Sequence, residues 1–337
     1  MVTRIGINGF GRIGRQSLKA ILERYPDELE IVAINDLTDP QTNAHLLKYD
    51  STYGRFPHQV QATEKALIVR DQTIQVTAQR DPAQIPWGEL GVDIVIESTG
   101  LFTNADKAAA HLKAGAKKVI ISAPAEGEDI TLVQSVNGQN YDPTRHHIIS
   151  NGSCTTHCLS LTASVLSQTF GIESGFLTTI HSYTNDQSIL DQMHKDLRRA
   201  RAAAANIIPT TTGAARAVAR VLPELAGRFN GISMRVPTIT VCAADLVITT
   251  SKEVSVKAIN AAFQEAAAGS LKGYLGYTQE PLVSSDFRGD PRSAIIDGLS
   301  TMVVGRHSLK VIAWYDNEWS YANSVANLAQ FVAQKGI

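Results

Sequence analysis

The chain has 337 residues, of which 44% are apolar and 19% are charged, and its 31 Lys and Arg against 32 Asp and Glu leave a formal charge of −1. This composition excludes a disordered protein, and the lack of a basic excess argues against nucleic acid or a membrane surface as the primary partner. The length predicts two domains. The 3 cysteines imply no disulfide framework. The sequence has no signal-peptide pattern and no apolar stretch of the ~18–20 residues that span a bilayer. Together with the few cysteines, this favours a cytoplasmic location.

The first half of the chain alternates between short β-rich runs and helical patterns. The predicted strands cover residues 4–8, 30–35, 92–96, 118–122 and 147–150, and the predicted helices lie at residues 16–22, 40–47 and 105–114. Asp39 and Pro40 supply an N-cap and a first-turn proline for the second helix. Short runs between Val60 and Thr77 are typical of antiparallel hairpins. The alternation predicts an α/β fold, with a doubly wound Rossmann-type domain over residues 1–150.

A glycine-rich turn follows the first predicted strand. Gly9, Gly11 and Gly14 stand between that strand and a helix, and Asp36 follows about 20 residues later at the end of the next strand. Glycines there permit close approach of backbone N–H groups to a pyrophosphate, and an acidic residue accepts hydrogen bonds from a ribose and repels a 2′-phosphate. The pattern indicates NAD as cofactor. The alternative is a glycine turn required for packing alone.

The second half has a different character, and it predicts an α+β domain over residues 151–317 with a mixed or antiparallel sheet. An amphipathic helix is expected over residues 155–170, and strands over residues 176–180 and 236–250. Residues 186–209 have few regular signals, which is typical of a functional loop. A last helix within residues 318–337 is expected to pack back on the first domain and complete it.

Cys154 lies where a strand passes into a helix, and the positive end of a helix stabilises a thiolate. This position is typical of a reactive cysteine, whereas Cys158 and Cys242 fall in apolar surroundings and are expected to be inert. His181 follows a predicted strand and is a candidate base. Spacing alone leaves the pairing of Cys154 with His181 open. A metal site at Cys154, His157 and Cys158 is disfavoured, because no second ligand cluster has suitable spacing, and we expect no metal.

Several long motifs, in order over essentially the whole chain, resemble the phosphorylating glyceraldehyde-3-phosphate dehydrogenase family of the bacterial type. They are Asn8-Gly-Phe-Gly-Arg-Ile-Gly-Arg15, Ala33-Ile-Asn-Asp36, His45-Leu-Leu-Lys-Tyr-Asp50, Ser150-Asn-Gly-Ser-Cys-Thr-Thr156, His181-Ser-Tyr-Thr-Asn-Asp-Gln187, Thr211-Thr-Gly-Ala-Ala215 and Trp314-Tyr-Asp-Asn-Glu318. The resemblance implies oxidation of glyceraldehyde 3-phosphate to 1,3-bisphosphoglycerate with reduction of NAD. Cys154 would form a hemithioacetal and then a thioester, and His181 would act as the general base.

The same resemblance assigns the binding residues. Thr184 and Arg235 would hold the substrate phosphate. Ser153, Thr155, Thr212 and Gly213, with Arg199 nearby, would line the site of inorganic phosphate. The residues implied for the cofactor are Gly9, Gly11, Arg12, Ile13, Gly14, Asp36, Arg80, Ser122, Asn317 and Tyr321, with Asn317 on the nicotinamide carboxamide. The family further implies a homotetramer in which residues 186–209 reach the cofactor site of a neighbouring subunit.

Three positions depart from the common family pattern. His157 replaces an Asn beside the nucleophile, where an imidazole could perturb the pKa of Cys154 or His181 or merely replace an amide hydrogen bond. Gln192-Met193 replaces a Leu-Pro pair that closes against the adenosine ribose, so NAD is expected to be preferred with weaker discrimination against NADP. Pro237-Thr-Ile-Thr240 replaces Pro-Thr-Pro-Asn beside the predicted substrate-phosphate site.

Two other functions compete with this interpretation. Erythrose-4-phosphate dehydrogenase shares the cysteine and the histidine. The erythrose-4-phosphate enzymes diverge at the inorganic-phosphate loop, whereas this chain keeps the loop at residues 212–215. A non-catalytic NAD-binding scaffold would not need Cys154, His181, Thr184 and Arg235 together. Phosphate-dependent turnover and a reactive Cys154 would separate these alternatives.

Overall fold

The computed structural model describes residues 2–337, and these divide into two compact units. One unit holds the described residues up to Gln134 together with Gly138–Gly152 and Ala322–Ile337, and the other holds Ser135–Asn137 and Ser153–Tyr321. Among the described residues, no helix is both long and apolar enough to cross a membrane.

The residues up to Ser150 form the following elements, all of which lie in the first unit except for residues Ser135–Asn137. These are β1 Thr3–Asn8, α1 Arg12–Arg24, β2 Leu29–Asn35, α2 Pro40–Lys48, β3 Tyr49–Asp50, β4 Gly54–Arg55, β5 Val60–Ala62, β6 Ala66–Val69, β7 Gln72–Thr77, β8 Ile94–Glu97, α3 Ala105–Lys113, β9 Lys118–Ile121, β10 Ile130–Thr131, α4 Gln134–Asn137 and β11 Ile148–Ser150. The predicted cap of α2 is confirmed, because Asp39 accepts a hydrogen bond from the Thr42 N–H and Pro40 opens the helix.

A nine-stranded sheet organises this unit, in the order β10-β11-β9-β8-β1-β2-β7-β6-β5. The strands from β10 to β7 in that order are parallel, and β5, β6 and β7 form the antiparallel hairpins predicted from the sequence. The chain leaves the central strand β1 to one side for β2 and returns on its other side for β8, which is the switch point of a doubly wound sheet. The predicted Rossmann-type fold is therefore confirmed.

Close backbone packing fixes the turn between β1 and α1. Gly9 has φ +89°, a left-handed value that favours glycine, and a Cβ added there would lie 2.8 Å from the Thr99 backbone nitrogen. A Cβ on Gly14 would lie 2.2 Å from the Gly9 carbonyl oxygen, whereas a Cβ on Gly11 would meet nothing within 4 Å. The turn is thus closed against protein at Gly9 and Gly14 and open at Gly11.

The rest of the chain forms the second unit and a last helix. Its elements are α5 Cys154–Phe170, β12 Ile172–Ser182, β13 Ile208–Thr211, α6 Ala214–Val221, β14 Phe229–Val236, β15 Cys242–Thr250, α7 Val256–Ala268, β16 Leu275–Thr278, β17 Ala294–Asp297, β18 Met302–Val304, β19 Ser308–Tyr315 and α8 Trp319–Lys335. From Ala322 onwards α8 belongs to the first unit.

An eight-stranded mixed sheet forms the second unit, in the order β13-β14-β12-β15-β19-β17-β16, with β18 paired to β19. The pairs β12–β14 and β16–β17 are parallel and the other pairs are antiparallel, as the predicted α+β fold requires. The prediction that residues 155–170 form an amphipathic helix is wrong in one respect. All side chains from Thr155 to Leu166 are buried, because α5 packs between the sheet and the helices α6 and α7.

Two predicted strand limits also differ from the structure. Residues 236–250 do not form one strand, because β14 ends at Val236 and β15 begins only at Cys242. Pro237 cannot donate a backbone hydrogen bond to a ladder, and Val241 has φ 72°, so the segment between them leaves the sheet. His181 does not follow its strand but lies inside it, since β12 extends to Ser182.

The glycine turn gives a test of this packing. We expect Gly14→Ala to lower the free energy of unfolding by about 1–3 kcal/mol, because the new methyl group displaces the Gly9 carbonyl. Gly11→Ala is the matched control, and it should change stability by less than about 0.5 kcal/mol. Urea unfolding followed by circular dichroism measures both. Equal losses in the two variants would contradict the packing described here.

Candidate active site

Cys154 and His181 are brought together by α5 and β12. Cys154 is the first residue of α5, and Ser153 caps the helix by accepting a hydrogen bond from the Thr156 N–H at 3.1 Å. The Cys154 Sγ lies 3.6 Å from His181 Nε2, and Cys154 is partly exposed while His181 is buried. The pairing that spacing left open is therefore present in the structure.

A single hydrogen bond determines which nitrogen of His181 faces the thiol. His181 Nδ1 lies 2.7 Å from the Ser182 carbonyl oxygen, which can only accept, so Nδ1 carries a proton. Burial, followed by the charge of Arg235, lowers the pKa of His181 to about 4, so the ring is neutral at pH 7. Its Nε2 then has a free lone pair, and the Cys154 thiol donates to it.

The thiol is held back from ionisation by its surroundings. Burial raises the pKa of Cys154 above its ordinary value, and the Thr155 hydroxyl and the charge of Arg235 oppose that rise. The N-terminus of α5 also favours the thiolate. The geometry thus provides a neutral thiol and a neutral base in contact, with nearby positive groups that stabilise a negative charge once the proton moves.

Arg235 and Thr184 form one predicted anion site. Arg235 lies on β14 directly opposite His181 in the parallel register, and its Nη1 donates to the Thr184 hydroxyl at 2.8 Å and to the Ser182 carbonyl at 3.3 Å. Arg235 Nε is buried and has no hydrogen-bond partner among the described residues. The Arg235 side chain as a whole is 12% exposed, and a guanidinium group binds phosphate oxygens well.

Arg199 lies in the long loop and connects to the same place through Asp186. Its Nη1 donates to the Asp186 carboxylate, which also accepts from the Thr184 hydroxyl, and its Nε donates to the Thr210 hydroxyl at 2.9 Å. Asp186 Oδ1 lies 3.8 Å from Arg235 Nη1. Asp186 therefore lies between the two arginines that the sequence predicted as anion-binding groups.

Asp186 itself was missed in the sequence analysis. Burial opposes its ionisation, yet the hydrogen bond from Thr184 and the charges of Arg235 and Arg199 keep the pKa of Asp186 below its ordinary value. A signal was available, since an acidic residue stands five positions after the candidate base within a motif already singled out. The carboxylate balances two arginines and limits the net positive charge of the site.

The two hydroxyl groups at the start of α5 both have partners within the protein. Thr155 is buried, and its hydroxyl shares a hydrogen bond with the Tyr315 hydroxyl at 2.9 Å, which in turn meets the Thr179 hydroxyl at 2.8 Å. The Ser153 hydroxyl caps the helix and lies 2.8 Å from the Thr156 hydroxyl. Backbone N–H groups at this helix end are therefore better placed than the Thr155 hydroxyl to bind an anion.

Thr212 and Gly213 stand at the start of α6. The Thr212 hydroxyl accepts from the Ala214 N–H at 3.2 Å, and Gly213 is the N-cap residue. A Cβ added to Gly213 would meet nothing within 4 Å, so the backbone there is open to a ligand. The second unit thus contains two helix starts, at Ser153 and at Gly213, of the type that binds phosphate oxygens.

Asn317 and Tyr321 follow the last strand of the second unit. The Asn317 side-chain oxygen accepts from the Ser182 hydroxyl at 2.9 Å and from the Val241 N–H at 3.1 Å. Tyr321 is buried with its ring edge-on to His157, at 5.9 Å between ring centroids. His157 therefore packs against an aromatic ring in the second unit, and neither Ser182 nor Val241 had been identified from the sequence.

The predicted cofactor residues of the first unit gather at one edge of its sheet. β1, β2 and β8 end side by side, since Asn8 is in register with both Asn35 and Glu97. Asp36 follows β2, and its carboxylate accepts from the Phe10 N–H at 2.6 Å and from the Thr38 N–H at 2.8 Å. The open backbone at Gly11, where a Cβ would occupy free space, and the acidic residue at the end of β2 fit a dinucleotide.

The remaining predicted cofactor residues lie around this edge. Arg12 and Ile13 form the first turn of α1, and Arg12 donates to the buried Asp50 carboxylate at 2.7 Å. Ser122 directly follows β9 and is half-buried, whereas Arg80 follows β7 and is exposed. The structure thus places Ser122 at a strand end, while the Arg12 side chain is bound to protein.

A glycine turn with an acidic residue at the next strand end, together with a cysteine and a histidine in contact beside two arginines, defines an NAD-dependent dehydrogenase. Residues 3–105 match the family model of the glyceraldehyde 3-phosphate dehydrogenase NAD binding domain, and residues 153–317 match that of the C-terminal domain. The chain belongs to the glyceraldehyde-3-phosphate dehydrogenase family, as its motifs indicated.

Known relatives extend the match to the full length. The chain is 58% identical over 337 residues to a glyceraldehyde-3-phosphate dehydrogenase of Geobacillus stearothermophilus, covering 100% of both chains. It is 57% identical over 337 residues to glyceraldehyde-3-phosphate dehydrogenase 1 of Bacillus subtilis, again covering 100% of both chains. It is 57% identical over 336 residues to a glyceraldehyde-3-phosphate dehydrogenase of Streptomyces coelicolor, covering 99% of this chain and 100% of that one.

The charge of Arg235 gives a pH test of the site. Because Arg235 lowers the pKa of Cys154, we expect Arg235→Leu to slow alkylation of Cys154 by iodoacetamide several-fold at pH 7 and to shift the rate profile to higher pH. Iodoacetamide is neutral, so the loss of charge does not alter attraction of the reagent. Mass spectrometry of the Cys154 peptide over time gives the rate. Arg306→Leu, which removes an exposed arginine paired with Glu253, is the control, and a profile unchanged in Arg235→Leu would contradict this account.

Proposed function

We propose that the chain converts glyceraldehyde 3-phosphate, inorganic phosphate and NAD into 1,3-bisphosphoglycerate and NADH. The observation that carries the proposal is the Cys154 thiol at 3.6 Å from a neutral His181, beside the buried and unpartnered Nε of Arg235. A thiol with a base in contact suits attack on an aldehyde, and a buried arginine suits a substrate that carries a phosphate. The names of the relatives support the same reaction.

In the proposed mechanism Cys154 attacks the aldehyde carbon while His181 Nε2 accepts the thiol proton. His181 then returns that proton to the new alkoxide oxygen, and a hemithioacetal forms. NAD, when bound, would supply the hydride acceptor for oxidation of this intermediate to a thioester. His181 takes the proton of the hemithioacetal hydroxyl, for which the Ser182 carbonyl keeps its ring in place. Attack of inorganic phosphate on the thioester carbon then forms the acyl phosphate and releases the Cys154 thiolate. A thioester retains free energy that direct hydrolysis would lose.

The two phosphate groups require two anion sites. We assign the substrate phosphate to Thr184 and Arg235, and the attacking phosphate to Ser153, Thr155, Thr212 and Gly213 with Arg199 nearby. The open backbone at Gly213 and the capped helix start at Ser153 support the second assignment. Since Asp186 binds Arg199 and lies 3.8 Å from Arg235, it would keep both side chains oriented when no anion is bound.

We propose NAD as the preferred cofactor and a cytoplasmic location. The Asp36 carboxylate at the end of β2 would bind the adenosine ribose and repel a 2′-phosphate, while Gln192 and Met193 weaken the discrimination against NADP. All three cysteines are free, in keeping with a reducing compartment.

We also propose a homotetramer, supported by exposed apolar side chains. Phe176, Val247 and Ile232 lie on one face of the second sheet, since Phe176 is opposite Val247 and Ile232 is opposite Thr178 in register. In the long loop, Met193 is 99% exposed and Leu197 is 81% exposed. Apolar surface of this kind is typical of interfaces between subunits.

Phosphate dependence tests the reaction. With glyceraldehyde 3-phosphate and NAD, we expect steady-state NADH formation to require inorganic phosphate. Cys154→Ala should lower kcat by at least about a thousandfold, because it removes the nucleophile. Cys158→Ala, four residues along the same helix, is the matched control and should retain turnover. Turnover without phosphate stimulation, or better turnover of erythrose 4-phosphate, would indicate the erythrose-4-phosphate enzyme, and an unreactive Cys154 would indicate a scaffold.

Light scattering tests the assembly. We expect a mass of four chains for the unmodified protein and a smaller mass for Phe176→Lys, because a charge in a dry interface is unfavourable. Leu101→Lys is the control, since Leu101 is also exposed but lies in the first unit, on neither the second sheet nor the long loop. A monomer in the unmodified protein would refute the proposed tetramer.

A further inference from the structure

The side-chain oxygen of Asn317 is surrounded by hydrogen-bond donors. The Ser182 hydroxyl lies 2.9 Å from Asn317 Oδ1, the Val241 N–H lies 3.1 Å away and the Thr240 hydroxyl lies 3.2 Å away. A backbone N–H can only donate, so the Asn317 atom that faces Val241 must be the oxygen and not the nitrogen. The orientation of the amide is thereby fixed by its surroundings.

The backbone around Asn317 is held as firmly as its side chain. The Thr240 hydroxyl also lies 2.9 Å from Asp316 Oδ1, so its one proton is shared between acceptors on two successive residues, of which the Asp316 carboxylate is the nearer. The buried Asp316 carboxylate accepts further hydrogen bonds from the N–H groups of Gly289 and Trp319, at 2.9 and 3.0 Å. Asn317 therefore has little freedom to rotate or to shift.

Val241 contributes its N–H at a conformational cost. It has φ 72°, a left-handed value that is strongly disfavoured for a β-branched side chain. Such a conformation persists only where the surroundings impose it, and it is characteristic of functional sites. The N–H that results points at Asn317, so the strained residue supplies the donor that determines which way the amide faces.

Ser182 connects this arrangement to the base. Its carbonyl accepts the hydrogen bond that fixes His181, and its hydroxyl donates to Asn317. Its own N–H donates to Cys242 Sγ at 3.4 Å, which anchors the residue at the end of β12. The same residue therefore orients the ring that takes a proton and the amide that follows β19.

We propose that Ser182, Thr240 and Val241 are positioning residues that force Asn317 to offer its NH₂ group, and not its oxygen, to the ligand. Asn317 Nδ2 makes no hydrogen bond within the described part of the chain, so this donor is available. The ligand group that such a donor recognises is the carbonyl oxygen of the nicotinamide carboxamide. The inference rests on the proposed function in that it takes NAD as the ligand of Asn317.

Two NAD analogues separate the halves of the carboxamide. The 3-thionicotinamide analogue replaces the carbonyl oxygen by sulfur, a weak acceptor, and the 3-acetylpyridine analogue keeps the carbonyl but lacks the NH₂ group. Isothermal titration calorimetry of the unmodified protein gives the dissociation constants of NAD and of both analogues. If Asn317 presents a fixed NH₂ donor, replacing the carbonyl oxygen of the ligand by sulfur weakens binding. Loss of the NH₂ group of the ligand then removes no contact with Asn317.

Removing one donor should weaken that sensitivity. In Thr240→Val and in Ser182→Ala we expect the ratio of the thionicotinamide to the NAD dissociation constant to fall by roughly three- to tenfold, the value of one hydrogen bond. The ratio for the acetylpyridine analogue should stay unchanged. Thr240→Ser, which keeps the hydroxyl, should restore the original ratio. Thr301→Val is the matched control, because the Thr301 hydroxyl donates to another asparagine oxygen, that of Asn260, at 2.7 Å.

A general loss of structure would weaken NAD and both analogues equally, so it would leave the ratios constant. Constant ratios in folded Thr240→Val and Ser182→Ala would overturn the proposal, as would a change in the acetylpyridine ratio, which would mean that Asn317 offers its oxygen. The two variants remove different donors, so the test stands if one of them does not fold. Absence of phosphate-dependent turnover with the expected binding ratios would refute the proposed function and leave this inference intact.

Discussion

The hydrogen bond from His181 Nδ1 to the Ser182 carbonyl is the contact on which the chemistry of the second unit depends. It places the proton on Nδ1, which faces the Ser182 carbonyl oxygen, and leaves Nε2 as an acceptor for the Cys154 thiol. Ser182 can make this bond because β12 lies between two partners, β14 and β15, which fix its end. His181, Arg235 and the amide of Asn317 therefore all make hydrogen bonds to Ser182, at the end of β12.

Charge at this site is a balance between burial and Arg235. Burial keeps both Cys154 and His181 neutral, while Arg235 favours the thiolate and also disfavours the imidazolium. His181 has its pKa lowered from 6.5 to about 4, so the unfolded chain binds its proton more readily than the folded one. The contribution of His181 to stability is thus fully present above pH 6.5 and is lost as the pH falls towards 4. Near neutral pH His181 is therefore unprotonated in the folded protein, and its full contribution to stability is present.

Local sequence patterns predicted the structural features that depend only on residues adjacent in sequence. The glycine turn, the cap at Asp39 and the cysteine at a helix start are all defined by a few consecutive positions, and each lies where it was predicted. The broken strand around Val241 was missed because its cause is partly tertiary, namely a strained conformation held by Asn317. Ser182 and Thr240 contact Asn317, which is distant in sequence, and spacing cannot reveal such contacts.

A contact distant in sequence also bears on the anion site proposed at the start of α5. Because the Thr155 hydroxyl binds Tyr315, anion binding at the start of α5 depends on backbone N–H groups and on the helix end itself. That helix end also favours the Cys154 thiolate, so in the proposed mechanism one positive region would serve two anions. In the proposed mechanism the two do not compete, since Cys154 carries no charge as a thioester at the moment when phosphate attacks. When the acyl phosphate forms, the C–S bond breaks and the charge returns to the Cys154 sulfur, and the helix end stabilises the released thiolate.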